Sequence, residues 1–158
     1  MSVVIDANVL VVLALDRRRA TAVERRLRRW RGEGEELHAP MLLGYEVASA
    51  LTNAVSVGQL DPGDAGQAWQ RIASVPLLLH QLDDGAAVVA MAQRLERRSA
   101  YDAAYLVLAE QLGAELWTLD GPLARNAGSR GLPVRLIETG ERQDETGPDA
   151  PAVETESP

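Results

Sequence analysis

The chain has 158 residues, of which 46% are hydrophobic, and this is enough for one domain with a substantial core. It contains no cysteine and no lysine, which excludes disulfides, thiolate metal sites, a P-loop lysine and a Schiff-base lysine. The formal net charge is −7, but residues 138–158 hold seven acidic residues and one arginine. Residues 1–137 therefore carry 16 acidic residues and 15 arginines, a near balance that permits a polyanionic partner.

The first predicted strand, residues 3–5, is a short apolar run that ends directly at Asp6. Ligands of open α/β sheets bind at the carboxyl ends of the strands, so an acidic residue here suggests chemistry. Asp6 is also placed to N-cap the helix predicted over residues 7–15, as aspartate often does. Both interpretations stay open at this point.

Residues 17–31 are predicted to form a helix that carries eight arginines and an apolar stripe. The arginines either form a solvated helix face or bind phosphates, for which guanidinium groups are well suited. A short strand over residues 37–39 and a helix over residues 41–57 follow, and Glu46 lies at the margin of the apolar face of that helix.

A helix over residues 64–74, a strand over residues 77–80 and a helix from Asp83 or Asp84 to about Leu95 come next. The two histidines of the chain, His38 and His80, lie in predicted strands. Neither has a partner at a spacing typical of metal ligands, so both are expected to be structural.

The helix predicted over residues 99–112 is apolar on nearly every side except at Asp102. A buried carboxylate is costly unless it is paired, and Arg98, four residues earlier, is one candidate partner. A strand over residues 115–118 then leads to Asp120, just as the first strand leads to Asp6.

A short helix over residues 122–127 and a last strand over residues 133–137 complete the folded part, residues 1–137. Residues 138–158 are acidic with almost nothing apolar, and we expect them to be a disordered tail. The alternation of strands and helices predicts one α/β domain in which a mostly parallel sheet of about five strands lies between two helical layers.

Four acidic residues stand out from this pattern. Asp6 and Asp120 follow strands expected at the sheet centre, while Glu46 and Asp102 lie near helix starts and are turned away from solvent by pattern. Carboxylates gathered in one cleft repel each other, and a hard divalent cation is the usual reason for such a cluster. Carboxylate ligands favour Mg²⁺ or Mn²⁺ over Zn²⁺, and such sites assist phosphoryl chemistry.

These acids lie in four segments, VVIDANVL at residues 3–10, MLLGYEVASAL at 41–51, AYDAAYLVLA at 100–109 and LWTLD at 116–120. The four segments resemble the PIN domain and, more narrowly, the VapC-type ribonuclease toxins of bacterial toxin–antitoxin pairs. The resemblance covers residues 1 to about 137. It implies a three-layer PIN-like fold and a site in which Asp6, Glu46, Asp102 and Asp120 hold Mg²⁺ or Mn²⁺ and position the attacking water. It places Asn8 and Thr118 at polar positions beside these acids.

The resemblance further implies endonucleolytic cleavage of RNA, a homodimer and inhibition by a cognate antitoxin. A PIN nuclease of RNA processing, or a non-catalytic PIN-like module that binds RNA or protein, is the alternative. A haloacid dehalogenase-like phosphatase would need aspartate where Asn8 stands, and no G-x-G-x-x-G of a dinucleotide-binding domain follows the first strand. No secretory signal or membrane span is apparent, so a cytoplasmic protein is expected.

Overall fold

The expected alternation of strands and helices is present in a computed structural model of the protein, which describes residues 2–139. The strands are β1 (Ser2–Ile5), β2 (Glu36–Pro40), β3 (Leu78–His80), β4 (Glu115–Thr118) and β5 (Val134–Leu136). The helices are α1 (Ala7–Leu15), α2 (Arg17–Gly32), α3 (Leu42–Ser56), α4 (Ala65–Ala73), α5 (Gly85–Arg94), α6 (Tyr101–Leu112) and α7 (Gly121–Ser129). The predicted disordered tail falls, from residue 140 onward, outside the described residues.

All strand pairs in this sheet are parallel, and the strand order is β3-β2-β1-β4-β5. The chain moves outward from β1 through β2 to β3 and then returns to the other side of β1 with β4. The carboxyl ends of β1 and β4 therefore flank the point where the strand order reverses, which is where open α/β sheets bind ligands. The predicted α/β class and the five-strand parallel sheet are confirmed.

The core is built on both sides of the central strands. Val4 and Ile5 of β1 are fully buried, because this strand has neighbours on both edges and helices on both faces. Helix α6 packs on β1, β2 and β4 with α5 beside it, and α1 packs against α2, α3 and α4. This packing carries α3 and α6 to the edge of the sheet where β1 ends. No helix of residues 2–139 is long and apolar enough to cross a bilayer.

Helix α2 joins the sheet through aromatic side chains. Trp30 is buried and packs edge-on against Trp117 of β4, with ring centroids 5.4 Å apart. The guanidinium of Arg26 lies 4.3 Å from the centroid of the Trp117 ring, in a cation–π contact. The arginine-rich helix is thus anchored by its apolar stripe, as predicted, and whether its exposed arginines bind phosphates stays a prediction.

The two histidines contact each other across neighbouring strands. His38 Nδ1 lies 2.9 Å from His80 Nε2, and His38 is buried. Burial and the neighbouring His80 ring both lower the pKa of His38. The contact links β2 to the edge strand β3.

Candidate active site

The side chain of Asp6 lies at the carboxyl end of β1, and only 7% of this residue is exposed. Its Oδ1 accepts a hydrogen bond of 2.7 Å from the backbone N–H of Asn8, so Asp6 is the N-cap of α1. Its Oδ2 accepts a second hydrogen bond, of 2.5 Å, from the hydroxyl of Thr118. The two interpretations of Asp6 are therefore compatible, because a capping carboxylate still faces the switch point of the sheet.

Thr118 and Asn8 join the ends of β1 and β4. The fully buried hydroxyl of Thr118 donates to Asp6 and accepts from the Asn8 side chain at 3.2 Å and from the backbone N–H of Asp120 at 2.9 Å. The side-chain oxygen of Asn8 accepts from the backbone N–H of Leu119 at 3.0 Å. Both predicted supporting residues thus fix the position of Asp6 relative to Asp120.

Glu46 comes from the second turn of α3 and is held by a tyrosine of α6. The hydroxyl of Tyr105 donates a hydrogen bond of 2.5 Å to Glu46 Oε2, and only 2% of Tyr105 is exposed. Sequence reasoning did not assign Tyr105 to the site. The available signal was its position three residues after Asp102, on the same face of α6.

Asp102 lies in the first turn of α6, and its side chain is 38% exposed. It is therefore more exposed than the sequence pattern predicts. Its cationic neighbour is Arg97, with Nε 3.9 Å from Asp102 Oδ2, and not Arg98. The expected pairing assumed a helix from residue 99, whereas α6 begins at Tyr101. Residues 97–100 precede the helix, so the four-residue spacing of a helix does not apply to Arg98.

Asp120 follows β4 and N-caps α7, with Oδ1 accepting a hydrogen bond of 2.8 Å from the N–H of Leu123. A cavity of about 250 Å³ is lined by the other three acids, Asp6, Glu46 and Asp102, together with Ala7, Asn8, Val11, Ala50 and Tyr105. Asp120 stands beside this cavity, and its charge raises the pKa of Asp102. The structure therefore brings three predicted acids to one cavity and places the fourth next to it.

The negative charge of the cavity is only partly compensated. The pKa of Asp6 is raised to about 7, mainly by burial and also by the charges of Glu46 and Asp102. The hydrogen bonds from Thr118 and Asn8 oppose this shift. Burial also raises the pKa of Glu46 and of Asp102, although Tyr105 and Arg97 respectively oppose the shift. Clustered acids with raised pKa values are typical of functional sites.

The acids of the cavity could hold a hard cation. Their donors are carboxylate oxygens, and neither histidine lines the cavity. Within residues 2–139, no three histidine or acidic side chains are arranged as a ready-made metal site. Mg²⁺ usually keeps several waters and takes only one or two carboxylates directly, so the donor chemistry fits a hydrated ion of this type.

A larger cleft, of about 750 Å³, lies between α2 and the β4–β5 side of the sheet. Two of its acids are ion-paired, Glu33 with Arg29 and Glu115 with Arg135, each at 2.8 Å. This pairing leaves no cluster of uncompensated acids comparable with that at the end of β1.

The fold and the site define an α/β protein with acidic side chains at the switch point of a parallel sheet. Residues 3–129 match the sequence model of the PIN domain family. The chain belongs to this family and, within it, is of the VapC type.

The chain matches two ribonucleases over nearly their whole length. The chain is 32% identical over 131 residues to Ribonuclease VapC3 of Pyrobaculum aerophilum, which covers 78% of this chain and 93% of the relative. It is 34% identical over 130 residues to Ribonuclease VapC12 of Mycobacterium tuberculosis, and this match covers 80% of this chain and 92% of the relative. The fold is similar to the crystal structure of PAE2754 from Pyrobaculum aerophilum, with a TM-score of 0.61, 24% identity and coverage of 80% and 79%.

Proposed function

We propose that this protein is an Mg²⁺- or Mn²⁺-dependent endoribonuclease and the toxin of a toxin–antitoxin pair. The observation that carries the proposal is the cavity at the end of β1, where Asp6, Glu46 and Asp102 come together from three elements. The ribonuclease names of the VapC relatives support RNA as the substrate.

The residues of the site would act in distinct ways. Asp6, Glu46, Asp102 and Asp120 would hold the cation. When bound, the cation would supply an activated water and stabilise the charge that develops on the phosphate. The chain itself keeps the acids in place, since Thr118 fixes Asp6.

Tyr105 of α6 fixes Glu46 by a hydrogen bond. This hydrogen bond engages Oε2 of Glu46, and among residues 2–139 it is the carboxylate's one side-chain hydrogen bond, so Oε1 is available for a ligand. The tyrosine is a positioning residue in this scheme, because it touches the acid and not the reacting atoms.

The decisive experiment is cleavage of structured RNA by the purified protein with Mg²⁺ or Mn²⁺, with and without EDTA. Attack by water on the phosphodiester should leave 5′-phosphate and 3′-hydroxyl ends. Cleavage that persists in EDTA, or products with 2′,3′-cyclic phosphates, would contradict the proposed mechanism.

A matched pair of variants separates the site from its structural role. Asp120 and Asp84 both N-cap a helix by accepting from the N–H three residues later, at 2.8 and 2.9 Å. Asp120→Asn should abolish cleavage, whereas Asp84→Asn should leave it unchanged, because asparagine caps a helix as well as aspartate does. Equal activity of the two variants would remove Asp120 from the site.

Growth of bacterial cells tests the toxin role. Expression of the chain should arrest growth, the Asp6→Asn variant should not, and co-expression of the cognate antitoxin should restore growth. A chain that cleaves RNA without arresting growth would instead be a PIN nuclease of RNA processing. A chain that binds RNA and never cleaves it would be a non-catalytic module, although no acid of the expected four is missing.

We also propose a homodimer. The edge strand β3 exposes Leu78 and Leu79 at 49% and 52%, and Leu82 and Met41 nearby are exposed at 66% and 50%. Grouped apolar side chains at an open sheet edge are typical of an interaction surface. Sedimentation should show a dimer that Leu79→Asp dissociates, whereas Val57→Asp, at an exposed apolar residue elsewhere, should not.

A further inference from the structure

The acidic cavity repels the substrate proposed for it, because each RNA phosphate carries a negative charge. A bound cation would compensate this charge at the scissile phosphate, and the neighbouring phosphates would need cationic contacts from the protein itself. The cations closest to the acids are therefore the candidates for holding the RNA backbone. Two arginines meet this condition, because Arg97 contacts Asp102 and Arg125 lies over Gly121, the residue after Asp120.

Arg97 is the first of them. It lies in the segment between α5 and α6, and its Nε is 3.9 Å from Asp102 Oδ2. Its side chain is 37% exposed, and a long ion pair at such exposure contributes little stability. A guanidinium has five N–H donors in a planar fork, so one distant carboxylate leaves most of this fork open to a phosphate.

Arg125 is the second. It lies on α7 one turn after Gly121, the residue that follows Asp120, and its side chain folds back over that glycine. Arg125 Nη1 is 3.2 Å from the position that a Cβ would take on Gly121. Among residues 2–139, Arg125 makes no ion pair or hydrogen bond through its side chain. Glycine thus leaves room for an unpaired guanidinium beside Asp120.

Two arginines away from the cavity, Arg71 and Arg135, differ from this pair because each is engaged by a short ion pair. Arg71 on α4 donates to Glu24 at 2.7 Å, and Arg135 on β5 donates to Glu115 at 2.8 Å. These short ion pairs engage the guanidinium with an acid that does not line the cavity. Their role is accordingly structural, and they provide matched controls.

We propose that Arg97 and Arg125 form a phosphate clamp that positions the RNA backbone on the two sides of the acidic site. This proposal rests on the proposed ribonuclease function and adds the residues that bind its substrate. Both side chains would contact phosphates that flank the scissile bond, so they would govern affinity and register. The fork geometry matters, because arginine contacts a phosphate through two parallel N–H groups and lysine does not.

Binding of a short fluorescein-labelled single-stranded RNA of mixed sequence tests the clamp without cleavage. The measurement uses fluorescence anisotropy on the full chain in an Asp6→Asn background at several salt concentrations. Adding Arg97→Gln and Arg125→Gln should weaken binding about tenfold and flatten the slope of log K against log salt by about 1.4, since each single-strand contact contributes about 0.7. Adding Arg71→Gln should change neither quantity.

A second measurement separates contact with RNA from support of the fold. In the otherwise unaltered protein, Arg97→Lys should raise KM for RNA cleavage with little change in kcat, and Arg97→Gln should raise KM further. The melting temperatures of both variants should stay near that of the parent, because the ion pair is long and exposed.

The outcomes of the two measurements are distinguishable. Unchanged affinity and salt slope in the double variant, with a parent protein that binds and cleaves RNA, would overturn the clamp alone. A parent protein that neither binds nor cleaves RNA would overturn the proposed function and the clamp with it. A loss of kcat without a change in KM would make Arg97 a structural partner of Asp102 and would also overturn the clamp.

Discussion

Asp6 and Asp16 stand at the two ends of the same helix, α1, and have the same local role. Each is the N-cap of the helix that follows it, Asp6 for α1 and Asp16 for α2. Asp16 accepts from the N–H groups of Arg18 and Arg19, each at 3.1 Å, and its side chain is 36% exposed next to Arg19. Asp6 is buried beside other acids, and burial raises its pKa to about 7.

The comparison shows that capping does not define what an aspartate does. A cap needs one oxygen near a helix start, and a surface turn or a strand end provides this equally well. The difference comes from the sheet. Because β1 is a central strand, Asp6 at its carboxyl end lies where the strand ends meet α3 and α6. The carboxylate at the surface lies 3.9 Å from the guanidinium of Arg19, whereas the one at the strand end lies next to Glu46 and Asp102.

The largest expected difference between the two caps concerns RNA cleavage. Asp6→Asn should reduce the rate at least about 1,000-fold, as loss of a central catalytic group does in other enzymes. Asp16→Asn should leave the rate unchanged and alter stability by less than about 0.5 kcal/mol, because asparagine is an equivalent cap. A rate assay with Mg²⁺ and Mn²⁺ measures both, and comparable rates in the two variants would place Asp6 among the ordinary caps.

The next difference concerns the pH dependence of stability without metal. Because the pKa of Asp6 is raised from 3.8 to about 7 on folding, the unfolded chain releases this proton at lower pH. The free energy of unfolding should therefore fall with rising pH, by about 1.4 kcal/mol per unit between pH 5 and 7, and level off above.

The measurement compares denaturant unfolding of the parent protein and of Asp6→Asn across this range, in EDTA. His38 makes the comparison necessary, because its lowered pKa gives a slope of opposite sign below pH 6.5. The difference between the two curves isolates Asp6. Parallel curves would mean that Asp6 ionises in the fold as easily as in the unfolded chain.

Thr118 tests how firmly the buried cap is held. Thr118→Val keeps the shape but leaves the Asp6 carboxylate, the Asn8 amide and the N–H of Asp120 without this partner, which should cost about 3 kcal/mol. The control is Thr52→Val on the exposed face of α3, where the hydroxyl donates only to the carbonyl of Ala48. Thermal unfolding of both variants gives the comparison, and similar small losses would argue against a rigid junction.

The sequence is sufficient to predict which strands are central. It also predicts that the strands ending at Asp6 and Asp120 lie side by side. The reason is that a buried parallel strand is a continuous apolar run whose carboxyl end is visible at the first polar residue. It is not sufficient to predict the contacts of these acids. Thr118 bonds to Asp6 across 112 residues and Tyr105 bonds to Glu46 across 59, and no local pattern encodes such partners.

Arg97 illustrates the same limit on a shorter scale. Choosing Arg98 as the partner of Asp102 relied on helical spacing, and a shift of the helix start by two residues removed the basis for that choice. Boundaries of elements are the least certain part of a sequence prediction, so side-chain pairs near a boundary inherit that uncertainty.

The smallest expected effect on stability is at Asp102, whose side chain is about as exposed as that of Asp16 but lines the same cavity as Asp6. Burial raises the pKa of Asp102 by more than the attraction of Arg97 lowers it, and the charge of Asp120 adds to the increase, so the ionised carboxylate is less favourable in the fold than in the unfolded chain. Asp102→Asn keeps the shape and removes one charge, and it should raise the melting temperature in EDTA at pH 7.5 by about 1–2 °C. If pairing with Arg97 dominated instead, the same change would lower the melting temperature.

Adding Mg²⁺ decides what Asp102 does. The cation should raise the melting temperature of the parent protein, because a ligand that binds only the folded state stabilises it. It should have little effect on the melting temperature of Asp102→Asn, since this variant lacks one of the carboxylates proposed to hold the cation. RNA cleavage by this variant should nearly vanish. A less stable variant that still responds to Mg²⁺ and still cleaves RNA would assign Asp102 to the structure, and the site would then consist of the acids at the two strand ends and Glu46.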